Sequence, residues 1–196
     1  MYRLFSILLI CAMGAVLAWR DRPVAQPPGI LTATDPLQKP IKGTAPVFRK
    51  ERYTLQALAE FVIEARVLAR ENYRFDVGAE LSPVDLALGW GPMSDNTVLN
   101  QINIQQRNRF YYWHADVFPI PRRDIEIHSA NMHLIPASPI VARQLDAVRP
   151  GHIVRLGGYL VEARREDGWQ WRSSLTREDT GNGACELIWV ETIALR

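Results

Sequence analysis

GHIVRLGGYLVEARREDGWQWRSSLTREDTGNGACELIWVETI, residues 151–193, holds three strand-like runs and two turn signals with almost no spare sequence. Residues 152–163 are rich in β-branched and aromatic side chains, and Asp167-Gly168 is a two-residue hairpin signal. Residues 169–175 alternate, and residues 184–193 form a third run. The stretch reads as an antiparallel meander. Gly157 and Gly158 have no side chains to pack, and such a pair inside a strand marks a bulge or bend that curls a sheet. A small closed or nearly closed barrel is the expected result.

The chain before it is more mixed. Residues 53–72 fit a helix by one set of apolar positions and a strand by another, and the expectation is a short helix-like lead-in to a strand over residues 61–69. Ser82-Pro83 supplies an N-cap and a first-turn proline, with Asp85 in the first turn, so residues 83–88 are expected to be a short helix closed by Gly89. Asp95 is expected to cap another over residues 96–101. Residues 103–115 read as one strand with Arg109, Tyr111 and Trp113 on one face. A helical turn is expected over 121–126, a strand over 132–136, and a helix over 139–148 begun by Ser138-Pro139.

Leu4 to Trp19 is a 16-residue apolar run behind Arg3, short of the ~20 residues that span a bilayer core. It reads as a signal anchor, or as a signal peptide cleaved near Ala18, where Val16 and Ala18 supply small residues. Residues 20–47 carry Pro23, Pro27, Pro28, Pro36, Pro40 and Pro46 with no apolar period, so they are expected to form an extended, flexible tether. A tether makes most sense behind a retained anchor. The division is therefore an N-terminal hydrophobic segment (1–19), a Pro-rich linker (20–47) and one globular β-rich domain (48–196).

The 196 residues are 47% hydrophobic and 22% charged, enough for one core. The formal charge is +2, so no global field draws the chain to nucleic acid or another polyanion. Cys11 lies in the apolar run, which leaves Cys185 alone in the folded part, unable to close an internal disulfide.

Residues 81–95 (LSPVDLALGWGPMSD), 129–137 (SANMHLIPA) and the GGYLV, WRSSLTREDTGNGACE and LIWVE pieces of 157–191 resemble an uncharacterised group of proteobacterial proteins with an N-terminal hydrophobic segment. That resemblance spans residues 61–191 and implies no activity. PGHIVRLGGYLV is more loosely similar to a strand pair of OB-like barrels, which bears on fold and carries no site. The expected fold is thus α+β and mainly β: a small antiparallel, OB-like barrel or strongly curved sheet with short inserted helices.

Candidate chemistry is sparse. Cys185 with His133 or His128 can form a thiolate–imidazole pair, because a nucleophilic cysteine needs a neighbouring base; the plainer expectation is a small buried side chain on a strand. The spacing of His128 and His133 matches no familiar metal-ligand pattern, and neither a metal nor another cofactor is called for. Residues 176–183 are long for a hairpin loop, and Arg177 and Asp179 are its candidate ligand-binding pair. Trp90, between two glycines, is expected to plug the barrel end, with an exposed recognition residue as the alternative. Arg109, Tyr111 and Trp113 offer the stacking and phosphate-pairing surface of a single-strand nucleic-acid binder, but core packing is the plainer explanation of such a strand, and the near-zero net charge argues against a polyanion track. The functional expectation is a membrane-tethered, non-catalytic module of the bacterial envelope. It would sit in the inner membrane through residues 4–19, face the periplasm, and bind an envelope protein or small ligand. A Cys/His enzyme and a nucleic-acid binder stand as alternatives.

Overall fold

The computed structural model describes residues 22–176 and 184–196, which are mainly β. The largest element is the strand β3 (Tyr53–Asn72), twenty residues long. Its even alternation decides the question left open in sequence, since Tyr53, Leu55, Ala57, Ala59, Phe61, Ile63 and Ala65 are buried while the residues between them are not. No helical lead-in forms. Such a strand needs many backbone partners. On one edge Thr54 to Arg66 pair with β8 (Ile153–Arg164), and on the other β2 (Val47–Lys50), β1 (Leu37–Pro40) and β4 (Val84–Gly89) follow one another.

The remaining pairings return to that strand. β4 pairs with β7 (Ser129–Pro136), β7 pairs in parallel with β10 (Glu186–Leu195), and β10 pairs with β8, which is back beside β3. Among the described residues this ring uses five strands, β3–β4–β7–β10–β8. Phe61, Leu86, Met132, Leu134, Leu160 and Ile188 fill its inner face, each large side chain contributing about 1.5–3 kcal/mol by leaving water. Helix α3 (Pro139–Asp146), capped by Ser138 accepting from Val141 N, adds Val141 and Leu145 to the same core.

Several local expectations yield to this pairing. Residues 83–88 do not form a helix: β4 is buried along its whole length between β3 and β7, and two ladders outweigh a cap signal worth about 1 kcal/mol. Residues 103–115 are a hairpin, β5 (Asn103–Arg107) and β6 (Phe110–His114), turned by Asn108 and Arg109, both with positive φ. Residues 151–193 give all three strands, but the hairpin strand β9 (Gln170–Arg172) and β10 follow one another along the same edge of β8, opposite β3, so the order is not that of a meander. The expected turn at 121–126 and helix at 96–101 are present as α2 (Arg122–Ile127) and α1 (Asn96–Leu99), the latter capped by Asp95.

Residues 22–50, expected in large part to be a free tether, are tied to the body. Val24 N donates to the Pro150 carbonyl, Gly29 N to Asp95, and Leu31 and Thr32 N to the Ser94 hydroxyl, before β1 and β2 join β3. The prolines prevent a helix without preventing edge pairing. No helix among the described residues is long and apolar enough to cross a membrane, and residues 1–21 lie outside them.

The glycine pair behaves as its composition implies. The β8–β10 register shifts between Val190 and Thr192, opposite Gly157 and Gly158. A Cβ on Gly158 would stand 1.9 Å from the Trp189 carbonyl oxygen, whereas one on Gly157 would meet only the Thr192 hydroxyl at 2.7 Å. Gly158→Ala should therefore lower stability by about 1–3 kcal/mol in urea unfolding, as forced overpacking does. Gly157→Ala should cost clearly less, because a side chain can turn aside and a paired strand backbone cannot. Equal losses would contradict the close approach.

Candidate functional site

The outer face of β4, β7 and β10 is where polar groups gather. Leu86 and Met132 point inward, so alternation turns Asp85, Asn131, His133 and Cys185 outward. That face is roofed by residues 73–83, by the β5–β6 turn and by Trp171 of β9. Asp85 is 0% exposed and His133 3%. Residues 81–95, 129–137 and 157–191, the segments singled out by resemblance, all contribute here.

Arg109 holds the roof down. Its Nη1 donates to Asp85 Oδ1 at 2.9 Å and to the Ser82 carbonyl at 2.9 Å, while Nε and Nη2 grip Asp76 at 2.9 and 2.7 Å. The fork is bidentate toward Asp76, the strongest geometry open to a guanidinium. Its Cζ also lies 3.6 Å from the Tyr73 ring centroid, and the backbone N–H of Arg109 donates to the Tyr73 hydroxyl at 3.0 Å. Burial, with Asp85 nearby, pushes the Tyr73 phenol up to about 12, so it stays neutral. A φ of 70° is uncommon for arginine and costs about 1–2 kcal/mol; the fork offsets that strain. Asn131 completes the latch, donating to the Arg109 carbonyl at 3.0 Å and accepting from Gln106 at 2.6 Å.

His133 Nδ1 stands 2.8 Å from Asp85 Oδ2, off the straight hydrogen-bond line. A carboxylate beside Nδ1 favours the proton there and leaves Nε2 as an acceptor. Trp171 lies over this pair, 4.6 Å from the His133 ring and 5.5 Å from Arg109 Cζ. It can lie so low because residue 78 is glycine: a Cβ there would come within 2.7 Å of the indole.

Two cavities open beside these groups. One, of 480 Å³, is lined by Val77, Gly78, Phe110, His133, Trp169 and Trp171, among others. The other, of 540 Å³, runs between β6 and the starts of β7 and β10, past Tyr111, Trp113 and Phe118. Phe110 and Cys185 line both, so the two are neighbours that share a wall, an aromatic groove in two parts.

The sequence candidates fare differently. His133 and Cys185 reach the same groove, with Cys185 Sγ 4.0 Å from Asn131 Nδ2 and from the Arg109 carbonyl. His128 does not reach it; its Nδ1 meets the Asp124 carbonyl at 2.8 Å and its ring packs over Gly91. Trp90 is 1% exposed, belongs to the core and also lines the 540 Å³ cavity. Arg177 and Asp179 lie outside the described residues. The proposed Arg109–Tyr111–Trp113 face is corrected: Arg109 is in a turn and spends its guanidinium on two carboxylates, so no phosphate-pairing strand face exists there. Among the described residues no group of three His, Cys, Asp or Glu could hold a metal ion. Asp85, Tyr73 and Trp171 were missed as site residues; an acid inside the apolar run VDLALG was the available signal. No protein-family model, curated protein or solved structure matches the chain.

Arg109→Met should cost about 3–5 kcal/mol in urea unfolding, because it leaves Asp85 buried without its cation; a loss below about 1 kcal/mol would show the latch to be ornamental. The pH dependence follows from Asp76. Partial burial opposes its charge, yet the Arg109 fork and the N–H groups of Gly78 and Ala79 hold its carboxyl below the usual 3.8. A pKa depressed by folding gives stability that is present above 3.8 and lost as pH falls through the folded value. Asp76→Asn should therefore be less stable than the parent at neutral pH and should flatten its decline below pH 3.8.

Proposed function

We propose that the chain is a membrane-tethered module of the bacterial envelope, an OB-like barrel whose outer groove binds a small ligand or a segment of an envelope protein. The barrel reading draws on the five-strand ring with its parallel β7–β10 contact, and on α3 inserted between β7 and β8. The envelope and periplasm-facing inner-membrane reading draws on the apolar run Leu4 to Trp19 behind Arg3, with cleavage near Ala18 as the alternative. The single observation that carries binding is the two-part aromatic groove beside a buried histidine whose Nε2 has no hydrogen-bond partner among the described residues. Concave, mostly apolar sites with a few convergent polar groups are where ligands bind.

A Cys/His enzyme is the second reading, favoured by one observation: Cys185 and His133 line the same cavity, and Asp85 lies against the far side of the imidazole. That is the order of parts by which a base activates a thiol.

In cells lacking this protein, Trp171→Ala should melt cooperatively yet fail to restore the wild-type phenotype. Full complementation by a stable Trp171→Ala protein would remove the groove as the functional site. Iodoacetamide separates the second reading from the first. A thiol activated by His133 would react at least about tenfold faster in the native protein than in His133→Asn. Equal rates, the outcome expected here, leave Cys185 as groove wall.

A further inference from the structure

The groove's own chemistry narrows what it takes, and this inference rests on the binding reading above. Anions are poorly matched. Four of the five N–H donors of Arg109 are already given to Asp76, Asp85 and the Ser82 carbonyl. Arg172, on the rim, is paired with Glu162 at 3.2 Å. An incoming phosphate or carboxylate would find two carboxylates against one engaged guanidinium and would have to displace an existing pair.

What the cavity does offer is an acceptor and two indoles. His133 is 3% exposed, and its Nδ1 faces the Asp85 carboxylate at 2.8 Å. Its Nε2 bonds to no described residue, is not among the fully enclosed unpaired atoms, and belongs to a ring lining the 480 Å³ cavity. A buried acceptor facing a cavity requires a donor from whatever fills it. Trp169 and Trp171 meet edge to face, with centroids 6.0 Å apart and planes at 83°. They make a corner rather than a parallel slot. A flat aromatic ring can stack on only one wall of such a corner, whereas a puckered pyranose ring presents C–H bonds to both walls and hydroxyl donors at its rim. Trp171 is also held rigid from behind by Arg109, His133 and the bare backbone at Gly78, so little ordering is needed on binding.

We propose that the Trp169–Trp171 corner is a saccharide subsite, which takes an uncharged sugar ring and accepts one of its hydroxyl or amide protons at His133 Nε2. The test uses the full-length chain in a detergent without a sugar headgroup, titrated calorimetrically with tetra-N-acetylchitotetraose as a neutral probe. Saturable binding with Kd below about 1 mM is expected. Trp171→Ala and His133→Asn should each weaken it about tenfold or more while keeping a cooperative melt. The de-N-acetylated oligosaccharide and an uncharged nucleoside serve as comparison ligands. The proposal is overturned by the absence of saturable binding, by equal affinity in both variants, or by tighter binding of the nucleoside. If saccharide fails while Trp171→Ala still does not complement, the groove stands and only the sugar is wrong. If Trp171→Ala complements fully, the groove reading itself has failed.

Discussion

A twenty-residue strand carries a long row of backbone donors and acceptors on each edge, and the fold is the way this chain satisfies those of β3. One partner strand would leave much of it open, so four segments share the work: β8 along one edge, and β2, β1 and β4 in succession along the other. Because β4 and β8 lie on opposite edges, β7 and β10 can join them only by going round. Register breaks at Ala57, Val67 and Val190 let the strands turn that corner. The apolar inner face, the buried Trp90 and the capping helix α3 then follow as the means of filling the enclosed space.

Once the inner face is assigned, the outer face of β4, β7 and β10 inherits the alternate residues, and one of them is an aspartate that solvent cannot reach. Burying Asp85 is acceptable only because Arg109 arrives from a turn twenty-four residues away with strain in its own backbone. The arrangement joins three otherwise separate pieces, the 73–83 loop, the β5–β6 hairpin and the sheet. It also sets the walls between which the aromatic groove lies. The electrostatic latch and the binding surface are therefore one construction, and the rigidity of Trp171 is a by-product of neutralising Asp85.

Much of the fold could be read from residues 151–193, where β-branched runs, Asp167-Gly168 and the glycine pair act locally and were left unchanged by context. That β10 follows β9 along the same edge of β8 and takes β7 as its second neighbour could not be read, because that choice depends on a segment fifty residues earlier. Residues 83–88 misled for the same reason: Ser82-Pro83 is a sound local cap, but Leu86 and Leu88 gain more from two ladders than from one helical turn. At the site, His133 and Cys185 were visible as residue types. Asp85 was visible only as a first-turn acid, and Arg109 only as one tooth of a strand face. Asn108-Arg109 lacks the glycine that announces a two-residue turn, so nothing local marked the break. What sequence lacked in each case was the partner that arrives from elsewhere in the chain.

The long pairing of β3 with β8 sets a schedule for biosynthesis. Thr54 faces Arg164 across that ladder, so β3 leaves the ribosome about a hundred residues before the strand that completes it. At elongation rates of roughly 5–20 residues per second, that interval lasts many seconds. Throughout it, an alternating apolar strand stands with one edge open, a form that invites pairing with other chains. β1 and β2, made just before β3 and lying along its opposite edge, are available immediately as short, local covers. The proline-rich stretch, tied to the body of the finished molecule, is thus also the first guard of its longest strand.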